Sequence, residues 1–376
     1  MRWSTRIGTL AGIGIYIHWT FWLLIAWIVV AHWLRGADPA MALSSLAMVA
    51  AVFGCVVLHE LGHALAARRF GIETHDITLL PIGGVARLAR MPEQPLQELW
   101  VALAGPAVNV VIAVGVLIVL IVMNETAELA NLQPIGSGFL IGLMWINVLL
   151  VVFNLIPAFP MDGGRVLRAL LATRFNYMIA TQVAAAVGQG IAIIFAIVGL
   201  LVPGAWMLLF IALFVFLGAQ QEAQAAEMKS LLRGVPVRAA VVTRFRTLRD
   251  TDPLSLVIAE LLAGYQTDFP VVDAQGRPVG ILVRADLMQA LAQGRSDAVV
   301  GELMRPCGLT VDDGEMLERT FQRMREADCP ALPVVHGGQL IGLVTLENIA
   351  EWMMIHSALK SGGLRSDFDS LFQRSV

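Results

Sequence analysis

The chain has 376 residues, 57% of them hydrophobic and 15% charged, with a formal net charge of −3. Its mean hydropathy of +0.72, set beside the roughly 25% of charged residues in an ordinary soluble domain, excludes a wholly soluble protein. The near-neutral balance offers no electrostatic footing for nucleic acid, and three cysteines, Cys55, Cys307 and Cys329, are too few and scattered for a disulfide framework or a Cys-type zinc site.

Apolar runs crowd into the first 222 residues, whereas 235–357 reads as a soluble domain. The expected division is a membrane core at 1–222, a linker at 223–235, two soluble units at 236–295 and 296–357, and a polar tail at 358–376. Arg2 and Arg6 precede an apolar run at 13–34 that is too long for a signal-peptide core and lacks a small-x-small cleavage site. It is predicted as an uncleaved first span. His18, Trp19, Trp22, Trp27 and Trp33 read as interfacial and packing aromatics, His18 being also a lesser candidate to approach a metal. Further spans are predicted at 41–67, 99–123, 138–156, 178–201 and 205–218, the last the shortest.

The second span carries His59-Glu60-Leu61-Gly62-His63. On a helix, histidines four apart project from one face, one turn apart, as two ligands of a tetrahedral Zn²⁺ require. Glu60 projects about 100° round the helix from His59, where it could deprotonate a water at the metal. Cys55, one turn earlier, is either a further ligand or a small packing residue.

Residues 79–88 are mostly apolar and too short to cross. They fit a strand–turn–strand hairpin or re-entrant element with Gly83-Gly84 at the turn, and a plain connector fits equally. An exposed edge there could pair with an extended peptide. After the fourth span, Pro157 and Pro160 end the helix and Gly163-Gly164 free the backbone behind Asp162, which taken alone reads as a turn residue.

Basic residues orient the spans. With a cytoplasmic N-terminus, only Arg35 falls outside, and the 124–137 loop carries Glu125 and Glu128 without a basic residue. Both termini and the soluble domain are then cytoplasmic. Spans two and four run the same way, so His59, His63 and Asp162 arrive at similar depth near the cytoplasmic side. Ionisable groups at that depth cost a few kcal/mol each without a partner or function. Two histidines and a carboxylate with water in the fourth position is catalytic rather than structural zinc architecture.

At this point the chain resembles the site-2 protease family of intramembrane metalloproteases. The matching pieces are His59 to His63, Gly105-Pro106-Ala107-Val108-Asn109 in span three, and Asn154 through Gly164, with Met161 where the family usually has Leu. The resemblance covers roughly 1–222. It implies one Zn²⁺ per chain held by His59, His63 and Asp162, Glu60 as general base and acid, and Asn154 holding or polarising the scissile carbonyl. It implies single-span membrane proteins as substrates and the inner cell membrane as location, and it favours substrate docking at 79–88. Asn109 lines the site or satisfies a helix–helix hydrogen bond.

From Val235 the pattern changes and a weak repeat appears at an offset of about 62 residues. Phe269-Pro270-Val271-Val272 with Gly280 through Leu287 matches Leu332-Pro333-Val334-Val335 with Gly342 through Ile349, each preceded by an amphipathic helix (256–262 and 316–324). These units resemble a tandem pair of CBS domains, which implies an adenine nucleotide such as ATP or AMP and a homodimer formed through the pair. The family's phosphate- and ribose-binding positions match Asp286 in the first unit, where Val283 replaces the Thr, and Thr345 and Asn348 in the second. The alternative to a nucleotide sensor is a dimerisation or gating platform.

The fold class expected is thus a polytopic α-helical membrane protein of about six transmembrane helices with a membrane-associated β-hairpin, plus a cytosolic α/β CBS-pair domain. The competing functions are a CBS-gated transporter or channel, for which no inverted repeat is visible, and an inactive scaffold, which the intact Glu60 argues against.

Overall fold

The computed structural model describes residues 4–36, 38–81, 83–92, 94–124, 138–264, 266–306 and 310–361. Arg2, the 125–137 loop with Glu125 and Glu128, Cys307 and the tail from 362 onward lie outside the described residues. The chain divides into two units, Met1–Ala226 and Glu227–Val376.

In the first unit the predicted first span is corrected. Ile13, Ile15 and Ile17 alternate with Gly14, Tyr16 and His18, a period of two in β-branched residues. The stretch accordingly forms β2 (Ile13–His18), hairpinned to β1 (Ser4–Leu10) through Ala11 and Gly12, both at positive φ. Only Thr20–Leu34 is helical (α1), about 22 Å long against a hydrocarbon core of about 30 Å.

α2 (Pro39–Arg69) starts at Asp38, whose side chain accepts from Ala40 N–H, with Pro39 at the first helical position. Then come β3 (Thr74–Leu80), β4 (Gly83–Leu88), α3 (Pro95–Val122), α4 (Phe139–Asn154), α5 (Asp162–Ala172), α6 (Tyr177–Leu201) and α7 (Met207–Leu232). Among the described residues, α2, α3, α6 and α7 are long and apolar enough to cross a membrane, and α1 and α4 are shorter apolar helices. The sixth predicted span is not short: Ala, Gln, Glu, Met and Lys after residue 218 are good helix formers and continue α7. α5 was not expected.

The 79–88 stretch is a strand–turn–strand, and it belongs to a larger sheet of order β1-β2-β3-β4 in which β2 and β3 run parallel and the other pairs antiparallel. Gly83 pairs with Leu80 as the first residue of β4 rather than sitting at the tip. β4 is an edge strand. Ile13, Ile77 and Ala64 bury together, with Leu61 and Ala86 beside them, and this seats the sheet on α2. Arg87 pairs with Asp76 across β3 and β4 and holds its carboxyl below the usual range.

The second unit contains β5 (Leu248–Arg249), α8 (Leu254–Ala263), β6 (Phe269–Val272), β7 (Pro278–Leu282), α9 (Arg284–Ala292), α10 (Val300–Leu303) and β8 (Arg305–Pro306). The second repeat follows as β9 (Val311–Asp312), α11 (Leu317–Glu326), β10 (Ala331–His336), β11 (Gln339–Thr345) and α12 (Leu346–Ser361). Two sheets result, β5-β6-β7-β8 and β11-β10-β9. α12 runs on to Ser361, past the point where the polar tail was expected to begin.

Candidate metal centre

The site is built on one face of α2. His59, His63 and Cys55 are buried there, and the two imidazoles meet edge to face at 4.8 Å between centroids. α3 supplies the opposing wall through Val101, Gly105 and Asn109, four residues apart and hence on one face. His59 Nδ1 donates to Asn109 Oδ1 at 2.8 Å, and His63 Nδ1 donates to the Val101 carbonyl at 2.7 Å. Both partners are oxygens that only accept, so each ring carries its proton on Nδ1 and presents a bare lone pair at Nε2.

Those two lone pairs converge on a carboxylate. His59 Nε2 and His63 Nε2 each lie 3.1 Å from Asp162 Oδ2 and 3.1 Å from one another. With the Nδ1 atoms protonated, none of the three contacts has a hydrogen to share. Three acceptors packed this closely in a buried site repel unless a cation lies among them. Zinc–ligand bonds of about 2.0–2.1 Å give a tetrahedral edge of roughly 3.3–3.4 Å, close to the spacing observed. Space is reserved as well: a Cβ on Gly105 would lie 2.2 Å from His63 Nε2 and 2.7 Å from His59 Nε2. The donor set, its spacing and the glycine floor all fit Zn²⁺. Among the described residues, these three form the one group of His, Cys, Asp or Glu that could hold a metal.

Asp162 is the first residue of α5, not a turn residue. An acid at a helix N-terminus is favoured by the helix dipole. Gly163 and Gly164 are demanded by packing: a Cβ on either would lie 2.2 Å from Ile156 O or 2.6 Å from Phe159 N. α5 is pinned further along by Arg168, only 2% exposed, which donates to Glu98 of α3 at 2.7 Å and to Glu222 of α7 at 3.0 Å. Its guanidinium lies over the rings of Phe159 and Tyr177, at 4.9 and 5.0 Å.

Glu60 is half-buried and points to the sheet, where its Oε2 accepts from the Ala86 N–H of β4 at 3.1 Å. A side chain on Gly84 would meet the Glu60 Cγ at 2.7 Å. Behind the centre, Asn109 Nδ2 donates to Asn147 Oδ1 at 3.1 Å, and Asn147 donates to Leu143 O at 2.9 Å. Both asparagines are fully buried. Asn147 went unnoticed in the sequence, where its polar side chain in an apolar span was the available signal.

Two candidate ligands fall elsewhere. His18 Nδ1 bonds the Thr20 hydroxyl at the start of α1, 2.8 Å away. Cys55 lies 3.4 Å from the Asn147 amide, outside the donor cluster. Asn154 is half-buried at the end of α4, ahead of the segment that leads to Asp162. In the second unit, Thr345 and Asn348 line a cavity of about 920 Å³ together with Val242, Arg244, Phe245 and Arg246. Asp286 does not line it, and Arg305 takes its carboxylate instead.

The family model for Peptidase family M50 matches residues 47–138 and 121–198, and that for the CBS domain matches 237–293 and 300–355. Zinc metalloprotease MJ0392 of Methanocaldococcus jannaschii is 30% identical over 355 residues, covering 94% of this chain and 97% of the relative. Rip3 of Mycobacterium tuberculosis is 28% identical, covering 95% and 94%. The solved site-2 protease from Methanocaldococcus jannaschii is 37% identical over 59% of this chain and 95% of its own, with a TM-score of 0.43.

Proposed function

We propose that this chain, which belongs to peptidase family M50 and is a zinc metalloprotease of the site-2 type with tandem CBS domains, cuts peptide bonds within membrane-spanning segments of its substrates. The observation that carries this reading is the convergence of His59 Nε2, His63 Nε2 and Asp162 Oδ2 above Gly105, on a helix apolar and long enough to cross a bilayer. These residues hold one Zn²⁺ per chain. Zinc held there supplies the Lewis acidity that activates a water and polarises a carbonyl.

The chain's own groups do the rest. Glu60 takes the proton of the attacking water and returns it to the leaving amine. Asn154 offers a side-chain amide to the oxygen that gains charge. A helical substrate hides its carbonyls in its own backbone bonds, so it must unwind first. β4, an edge strand whose Ala86 N–H already touches Glu60, offers an unwound segment backbone partners beside the base. The basic residues favour cytoplasmic termini in a multi-pass inner membrane protein. We take 1–222 as the protease core and the CBS pair beyond the linker as a regulatory dimerisation module that binds an adenine nucleotide at Thr345 and Asn348. Family membership removes the transporter reading, and the intact Glu60 argues against an inactive scaffold.

The test is Glu60→Gln. This variant should retain about one zinc per chain and lose cleavage of a reconstituted single-span substrate. Continued cleavage would remove Glu60 from the chemistry.

A further inference from the structure

The CBS pair is built from a repeat, yet its two equivalent positions differ chemically. Gly280, Ile281, Val283 and Asp286 of the first unit correspond to Gly342, Leu343, Thr345 and Asn348 of the second. In each unit a separate segment lies against the second strand. Arg305 is the register partner of Ile281, and Val242 is the register partner of Leu343. Both approaches need the glycine: a Cβ on Gly280 would meet Arg305 O at 2.9 Å, and one on Gly342 would meet Val242 O at 2.7 Å. Arg305 and Val242 therefore occupy corresponding places.

At the first position the guanidinium of Arg305 grips Asp286. Its Nε and Nη2 donate to the two carboxylate oxygens at 2.6 and 3.0 Å, and its Nη1 donates to Asp328 O at 2.7 Å. Such a fork is among the stronger side-chain interactions, and it commits both oxygens of Asp286. Val283 brings no hydroxyl. At the second position Val242 brings no charge. Among the described residues, the side chains of Thr345 and Asn348 bond to each other's groups, Oγ1 to Oδ1 at 2.7 Å and the Asn348 N–H to Oγ1 at 3.0 Å. They face a cavity of about 920 Å³, within the roughly 300–1,000 Å³ range of small-molecule sites. Arg244 and Arg246 line it as cations suited to phosphate, and Phe245 offers apolar surface.

We infer that the CBS pair takes a single adenosine phosphate per chain, in the Thr345–Asn348 cavity, and that Arg305 closes the equivalent place at Asp286. The inference rests on the nucleotide reading above and adds to it the stoichiometry and the closure of the first place by Arg305. The experiment is calorimetric titration of the full chain in detergent with AMP, ADP and ATP in turn. One nucleotide per chain is expected. Asn348→Leu should weaken binding at least about tenfold, the loss of roughly one good hydrogen bond. Val242→Arg, which copies the Arg305 plug, should abolish it, and Asp286→Asn should leave affinity within about twofold. Zinc content and melting temperature report whether each variant is folded, and the wild-type stoichiometry decides independently of them. Two nucleotides per chain, or loss of binding in Asp286→Asn, overturns the one-site inference while keeping the nucleotide reading. No binding of any of the three overturns the nucleotide reading and the inference with it.

Discussion

Replacing Asn109 with alanine probes the centre from behind, without touching a donor atom. Asn109 Oδ1 accepts the His59 Nδ1 proton at 2.8 Å in a fully buried setting. Without that acceptor the ring loses its tautomeric lock, and a proton on Nε2 would occupy the lone pair that faces Asp162. Leaving a buried N–H without a partner costs about 1–3 kcal/mol. Loss of such an orienting partner typically weakens metal affinity by about 10–100-fold, equivalent to about 1.4–2.8 kcal/mol, so the two routes agree. The assay is zinc competition against a chromophoric chelator, with purified protein in detergent. Asn109→Asp keeps an acceptor toward His59 and should recover most of the affinity. Asn147→Ala, one hydrogen bond further out, should cost less than Asn109→Ala. A zinc Kd for Asn109→Ala within twofold of wild type would refute the tautomer argument.

Two further outcomes follow from packing. Gly105→Ala places a methyl 2.2 Å from His63 Nε2, so the purified variant should carry almost no zinc by elemental analysis while its far-ultraviolet circular dichroism stays helical. Full zinc occupancy would mean that α3 retreats easily. Arg168→Met strands Glu98, itself 2% exposed, and breaking a buried pair this way costs about 3–5 kcal/mol. A large drop in melting temperature is expected, with a smaller one for Glu222→Gln, because that carboxylate is about a third exposed. Equal losses from the two would show that Glu98 carries no special share.

Much of the architecture was legible because lipid is an undemanding solvent to read. Long apolar runs must be helical there, since no water satisfies the backbone, and the helices at Pro39–Arg69, Pro95–Val122 and Tyr177–Leu201 stand where the runs do. The same logic failed at residues 13–18. In an apolar run, a period of two and a period of 3.6 look alike until strand partners are known, and β1 and β3 lie on either side of that strand. α5 was hidden behind two prolines and two glycines. Those glycines read as freedom in the sequence, but in the fold they relieve crowding.

For the centre, residue identities and helical spacing alone nominated His59, Glu60 and His63, because a four-residue interval sets a face without help from the rest of the chain. Local sequence left Asp162 a turn residue and Asn109 undecided. It marked Gly105 only as part of a matching motif, and it was silent on the roles of Asn147 and Ala86 and on the pairing of Arg305, which lies 19 residues from Asp286. Each of these roles is a relation between segments: which oxygen a ring nitrogen meets, which backbone N–H a carboxylate meets, whether a cation from another strand arrives first. Such relations depend on separations of a few ångströms across 19 to 103 residues of chain. Spacing along the chain decides which residues can share a face, and only the packing of one segment on another decides which faces meet.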